Sequence, residues 1–285
     1  MRLCYVEKPN VKRPFKKFIG VDLGGGRGKT TAVAQIRAGD GAEVIEVATR
    51  SDRRPWTDDT LIERLGHPDP DTVIDLDAPL TQVACGRCDR PVCPGMEACV
   101  DPAVVWLRTR GRMLVANVAA ETVDAGPRVQ LTAQARLAPY AHRATDVVMT
   151  YERGLLPLSA LGTAHGAIAA RAGQLRRRLQ GAGYRLHENL LEVSPAATVG
   201  ALCGVRASRG YKRDADPWRT RAMILEKLDD LSFAPQSRMA REDVLRNDHC
   251  FDAVLAAYTA YLWARDGWPS PEGWIAEDGW IHSPP

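Results

Sequence analysis

The sequence predicts an α/β fold, a mixed sheet flanked by helices, from three observations. Short apolar runs end in an acid and a turn at Asp22, Asp77 and Glu192. A glycine-rich turn joins the first run to an alternating, β-branched one. Long helical patterns fill 160–180 and 241–264. The 45% apolar fraction of the 285 residues suffices for a core, in one large domain or two small ones.

Residues 1–16 form a basic N-terminal arm with Lys8, Lys12, Arg13 and Lys16, and read most simply as a solvated tail. Phe18 to Val21 is a core strand ending at Asp22, and Gly24, Gly25, Gly26 and Gly28 supply a turn that other residues make only with strain. Thr30 to Ile36 and Glu43 to Ala48 read as the next two strands, with Gly39-Asp40-Gly41 turning between them. Gly28-Lys29-Thr30 resembles the end of a phosphate-binding loop. That motif fails here, because Leu23 occupies its first glycine position and a strand pattern follows the lysine where a helix is required. Strand, glycine turn and strand, with an aspartate ending the first, suits a ribonuclease-H-like sheet or an actin-like or sugar-kinase-like ATPase. The plain alternative is a hairpin in which Asp22 is a turn residue.

A polar connector over 51–71, with a short helix around Thr60 to Leu65, leads to the strand Thr72 to Leu76 and then Asp77. Asp75 and Asp77 share a face by period-two alternation, and Asp77 lies nearer the strand end, where α/β sheets gather ligands. Cys85, Cys88, Cys93 and Cys99 follow as C-x2-C-x4-C-x5-C in a cysteine-rich insertion at about 81–103. Four of seven cysteines so close, in a chain with no secretory pattern, point to metal. Zn2+ is the first choice and an iron–sulfur cluster the alternative.

The stretch from Val104 to Tyr140 shows no clear period. Val147 to Met149 reads as a strand, Asn189 to Val193 as another carrying Glu192, Ser208 to Arg221 as a basic loop with Lys212 available for a phosphate, and Met223 to Leu231 as a helix. On the helix over 241–264, Asp248, His249 and Asp252 can share a face, and Asp252 lies within an alanine-rich apolar stripe where an unpaired charge is costly. A tail over 266–285, rich in tryptophan and proline, is expected to be extended or to form a short strand at Gly273-Trp274-Ile275.

Together GVDLGG at 20–25, IDLDAPL at 74–80, the cysteine cluster containing CPG, LLEVSP at 190–195 and DHCFDAVLAAYTA at 248–260 resemble the domain-of-unknown-function family numbered 429. That family is described as predicted nucleases of ribonuclease-H-like fold. The resemblance runs from Phe18 to about Trp274. It implies Asp22, Asp77, Glu192 and Asp252 as the acidic constellation, with Asp248 and His249 as accessories. Ser194 departs from the pattern, since a tyrosine is usual before Pro195.

The expected domain is therefore ribonuclease-H-like over 17–265, and the expected activity is metal-dependent phosphodiester cleavage. Asp22, Asp77, Glu192 and Asp252 would hold two Mg2+ or Mn2+ ions, because hard cations take oxygen ligands. The cysteine module would be structural or would grip nucleic acid through Arg87 and Arg90. An actin-like ATP-dependent phosphotransferase ranks second, since no second glycine-rich segment appears downstream. A non-catalytic nucleic-acid-binding protein is the third reading. A net charge of +3 alone does not select nucleic acid. With neither a membrane span nor a secretory signal, the expectation is a cytoplasmic protein.

Overall fold

The computed structural model describes residues 11–25, 30–121, 137–154, 166–237 and 239–285. Parts of three expectations lie outside the described residues: the start of the basic arm, positions 26–29 of the glycine turn and residues 160–165 of the predicted helix.

A seven-stranded sheet forms the centre, built from β1 (Lys17–Asp22), β2 (Ala32–Ala38), β3 (Ala42–Ala48), β6 (Thr72–Asp77), β7 (Leu190–Val193), β8 (Leu231–Phe233) and β9 (Ile281–His282). Its order is β8-β3-β2-β1-β6-β7-β9. β1 pairs antiparallel with β2, as β2 does with β3, and every other neighbouring pair is parallel. β4 (Arg50–Ser51) and β5 (Arg54–Pro55) make a separate small hairpin. Among the described residues, no helix is long and apolar enough to cross a membrane.

Alternation along β1 splits the core into two layers. Phe18 faces one side with Ala34, Ile36, Val73 and Leu191, while Ile19 and Val21 face the other with Ile74, Leu76 and Leu190. The second layer is closed by the helices Asp58–Leu65 and Gly166–Gly181 through Leu61, Leu65, Leu175 and Leu179. The first is closed by the central helix Asp248–Asp266, buried continuously from Cys250 to Ala264. A helix apolar on all sides belongs inside a protein. It approaches β1 so closely that a Cβ at Gly20 would lie 2.2 Å from the Ala253 carbonyl oxygen and 2.4 Å from the Ala257 nitrogen. Gly20 and the alanines are thus required by that contact.

Several segments differ from expectation. The helix expected over 241–264 is two helices, Arg241–Arg246 and Asp248–Asp266, divided at Asn247. The Asn247 side-chain oxygen accepts from the backbone N–H groups of His249 (3.0 Å) and Cys250 (3.3 Å), so the cap restarts the helix there. Val147 to Met149 is helical, in the helix Ala144–Val147 and the π-turn Val148–Glu152, because the Asp146 carboxylate caps the Arg143 N–H at 3.0 Å. The basic loop expected over 208–221 is the helix Val205–Arg213 and the start of Pro217–Glu226, so the helix expected over 223–231 begins earlier and ends before β8. In the tail, Trp274–Asp278 is a helix rather than a strand, and the strand is β9, paired with β7. The basic arm is held at Arg13, whose guanidinium lies 3.8 Å over the Trp263 ring and donates to the carbonyls of Trp263 and Trp268.

Candidate metal and catalytic site

β1 and β6 run parallel, in a register that sets Asp22 directly beside Asp77. Both side chains lie on the face covered by the central helix, since Asp22 alternates with Gly20 and Phe18, and Asp77 with Asp75 and Val73. Asp252 comes down from the first turns of that helix. One carboxylate oxygen from each of Asp22, Asp77 and Asp252 lies within 4.8 Å of the other two. Asp252 is 1% exposed and Asp22 8%.

Like charges this close disfavour full ionisation. Burial, then Asp252 and Asp22, push the Asp77 pKa well above the usual carboxylate range. Burial lifts Asp252 to about 6 even though Lys212 pulls the other way. Asp75, one pleat further in, is fully buried, its two oxygens have no hydrogen-bond partner, and burial pushes its pKa well up.

Three side chains contact the trio. The Lys212 ammonium forms an ion pair with Asp252 Oδ2. Burial disfavours that charge, but Asp252, Asp77 and Asp22 outweigh it and raise the lysine's pKa. The buried Tyr211 hydroxyl donates to Asp252 Oδ1 at 2.9 Å. His249 Nδ1 is 2.6 Å from Asp22 Oδ2, and this hydrogen bond raises the imidazole pKa against the effect of burial. Asp248 stands in the first helical turn outside the trio and raises the His249 pKa.

The structure does not bring Glu192 into the trio. On β7, Leu191 and Val193 face the central helix, so Glu192 falls on the opposite face with Leu190, in register with Leu76. Both its oxygens are also engaged. Oε1 accepts from Arg143 Nη2 at 2.6 Å, and Oε2 from Arg143 Nη1 and the Leu80 N–H, each at 2.8 Å. Burial still raises the Glu192 pKa despite that guanidinium. The Leu80 bond fixes the chain just beyond Asp77, so Glu192 positions the site wall.

Arg143, fully buried, is the group with no sequence signal. It binds Asp146 and Glu192 together and donates to Thr81 Oγ1 at 2.7 Å. Tyr211 was equally hidden, since it lies in a stretch that reads as loop.

Cys85, Cys88 and Cys93 are exposed, Cys99 is half-buried, and all four are free thiols. They share a patch close enough that, after burial, the other three raise the Cys85 pKa. They do not converge as the carboxylates do: among the described residues, the aspartate trio is the group of three or more potential ligands with donor atoms within 4.8 Å of one another. Gly95 turns the loop at φ +80°, and Arg108 donates to the Met96 and Cys99 carbonyls at 2.9 and 2.6 Å. Arg87, between Cys85 and Cys88, donates to Asp278 at 2.9 Å, which in turn accepts from the Ala144 N–H at 2.6 Å.

The chain just beyond β1 is held at Gly24. Gly24 N–H donates to Thr31 Oγ1 at 3.1 Å, and Arg171 reaches Thr31 Oγ1 at 3.0 Å and Asp58 at 2.7 Å.

Fold and site together define an α/β protein with a carboxylate cluster at the ends of two parallel central strands. The chain belongs to the family described as Protein of unknown function (DUF429), whose model matches residues 20–272. No curated protein and no solved structure matches it.

Proposed function

We propose that the protein is a metal-dependent nuclease on a ribonuclease-H-like sheet, hydrolysing phosphodiester bonds at Asp22, Asp77 and Asp252. The observation that carries this reading is the convergence of those three carboxylates from β1, β6 and the central helix. The donor set suits Mg2+ or Mn2+, since it is all oxygen, anionic and too crowded to ionise freely without added positive charge. A bound divalent ion would activate water and neutralise the phosphate. The protein's own groups hold the ligands: Tyr211 fixes one oxygen of Asp252, His249 fixes one of Asp22, and Glu192 braces the chain after Asp77. A sheet with β1 at its centre, antiparallel to β2 and parallel to β6, supports the fold assignment.

Nucleic acid as substrate draws support from the surface beside Lys212. Arg206, Arg209, Arg213 and Arg219 are exposed on the helices Val205–Arg213 and Pro217–Glu226. Trp218 is exposed with the Arg246 guanidinium 6.0 Å from its ring centroid. Cations mixed with an aromatic face suit a phosphate backbone and its bases.

The test is cleavage of single- and double-stranded DNA and RNA with Mg2+ or Mn2+, by wild type and Asp22→Asn. Wild type should cut at least one substrate only with the ion, and Asp22→Asn should lose 10²-fold or more, on the order expected for removal of a preorganised charged group. Cleavage that survives Asp22→Asn undiminished would move the chemistry elsewhere. Metal-bound protein that grips nucleic acid without cutting it would favour the binding-module reading.

We also propose that Cys85, Cys88, Cys93 and Cys99 hold a structural Zn2+, on the strength of their spacing and shared patch. Elemental analysis of protein purified without chelator should find about one zinc per chain. Iron with sulfide would indicate a cluster instead, and no metal would remove the proposal.

A further inference from the structure

We propose that Lys212 takes the place of a second divalent ion, so that the carboxylate trio works with one Mg2+ or Mn2+ and a tethered ammonium. This inference rests on the metal-dependent reading above and narrows it.

The argument is one of charge and position. Here three carboxylates converge, and the fourth acid of the constellation, Glu192, is excluded by strand alternation and bound through both oxygens to Arg143. The Lys212 ammonium is paired with one member of the trio. Three carboxylates and one ammonium leave two negative charges, which one divalent ion neutralises. A second ion would leave the site positive.

Position agrees with charge. Asp252 has Tyr211 on Oδ1 and Lys212 on Oδ2, so one of its two oxygens already carries a cation from the protein itself. The two are adjacent in one helix, and Arg221 fixes that helix to its surroundings by donating to the Tyr211 carbonyl at 2.8 Å and the Leu245 carbonyl at 2.7 Å. Tyr211 is buried and Lys212 reaches in from the surface, 5.4 Å from the centroid of the Tyr211 ring. An ammonium supplied this way is permanent and independent of metal concentration, whereas a second ion must be bound from solution.

The experiment is Mn2+ binding to the full chain, followed by calorimetry and electron paramagnetic resonance, with Asp22→Asn as the control for sites elsewhere. Wild type should bind about one Mn2+ at the trio with no spin coupling between ions. Lys212→Met should bind two, with the second ion's coupling visible in the spectrum. Lys212→Arg, which keeps the charge, should return to one, and circular dichroism checks the fold of both variants. Two coupled ions in wild type, or a single ion in Lys212→Met, would overturn the tethered-cation assignment while leaving the nuclease reading intact. No Mn2+ lost on Asp22→Asn would instead remove the metal site itself, and this inference with it.

Discussion

Arg143→Ala is expected to destabilise the fold by about 3–5 kcal/mol, the cost of leaving buried ions without their partner. Arg143 is 0% exposed and holds Asp146 and Glu192, both buried, while also donating to Thr81. Removing it leaves two buried carboxylates without their guanidinium partner, and burial already raises the Glu192 pKa. The loss should therefore grow with pH: Glu192, already raised by burial with Arg143 present, rises further without it, and its deprotonation is then paid for in folding free energy. Since a domain's whole stability is about 5–15 kcal/mol, the variant should be near its limit above neutral pH. Urea unfolding at pH 6 and pH 8 measures this. A loss under about 1 kcal/mol at both would mean that the network is solvated and not the brace described here. Adding Glu192→Gln should recover part of the loss, because it removes one of the two stranded charges.

In chelator-treated protein, stability should fall as pH rises from about 4 to 7, and divalent ions should restore it. Asp75, Asp77 and Asp252 all have raised pKa values, so the folded chain holds protons that the unfolded chain has released. Their contribution is fully present below the unfolded carboxylate values near 4 and is lost as pH climbs through the folded ones, about 6 for Asp252. For Asp252 alone the shift amounts to roughly 3 kcal/mol. Mn2+ binds the ionised trio, so it should stabilise the protein more at pH 8 than at pH 5; at 100 times its Kd at pH 8 the stabilisation is about 2.7 kcal/mol. Thermal unfolding at both pH values, with chelator and with Mn2+, reads both effects. Asp252→Asn should flatten the chelated slope. A slope unchanged by that substitution would show that Asp252 does not titrate as its burial demands.

Much of this site was legible because strands advertise their ends. Asp22 and Asp77 each follow an apolar run and precede a turn or proline, and the parallel register of β1 and β6 sets them side by side. Asp252 was legible as a charge inside an apolar helical face. The same logic misled at Glu192, because the end of a strand does not fix which face a residue takes. One residue of phase decides that, and β7 is only four residues long. Tyr211 was hidden in RGYKRDADPW, whose charge and glycine read as loop, and Lys212 was legible there as a cation for a phosphate but not as the partner of Asp252; Tyr211 packing inward and the two bonds from Arg221 make the first part a helix. Arg143 had only Asp146 nearby, and its network was illegible because its other partners, Glu192 and Thr81, lie far along the chain. Asn247 shows how one cap overrides a long periodic pattern, and its effect is functional, because it sets His249 beside Asp22 at the start of the helix.

The most direct test of the central claim is a crystal structure of the protein soaked in Mn2+, with anomalous scattering used to locate the metal. The account predicts an anomalous peak within ligand distance, about 2.2 Å, of oxygens from Asp22, Asp77 and Asp252. A fully occupied Mn2+ site elsewhere, with the three carboxylates still held only by Lys212, Tyr211 and His249, would contradict it.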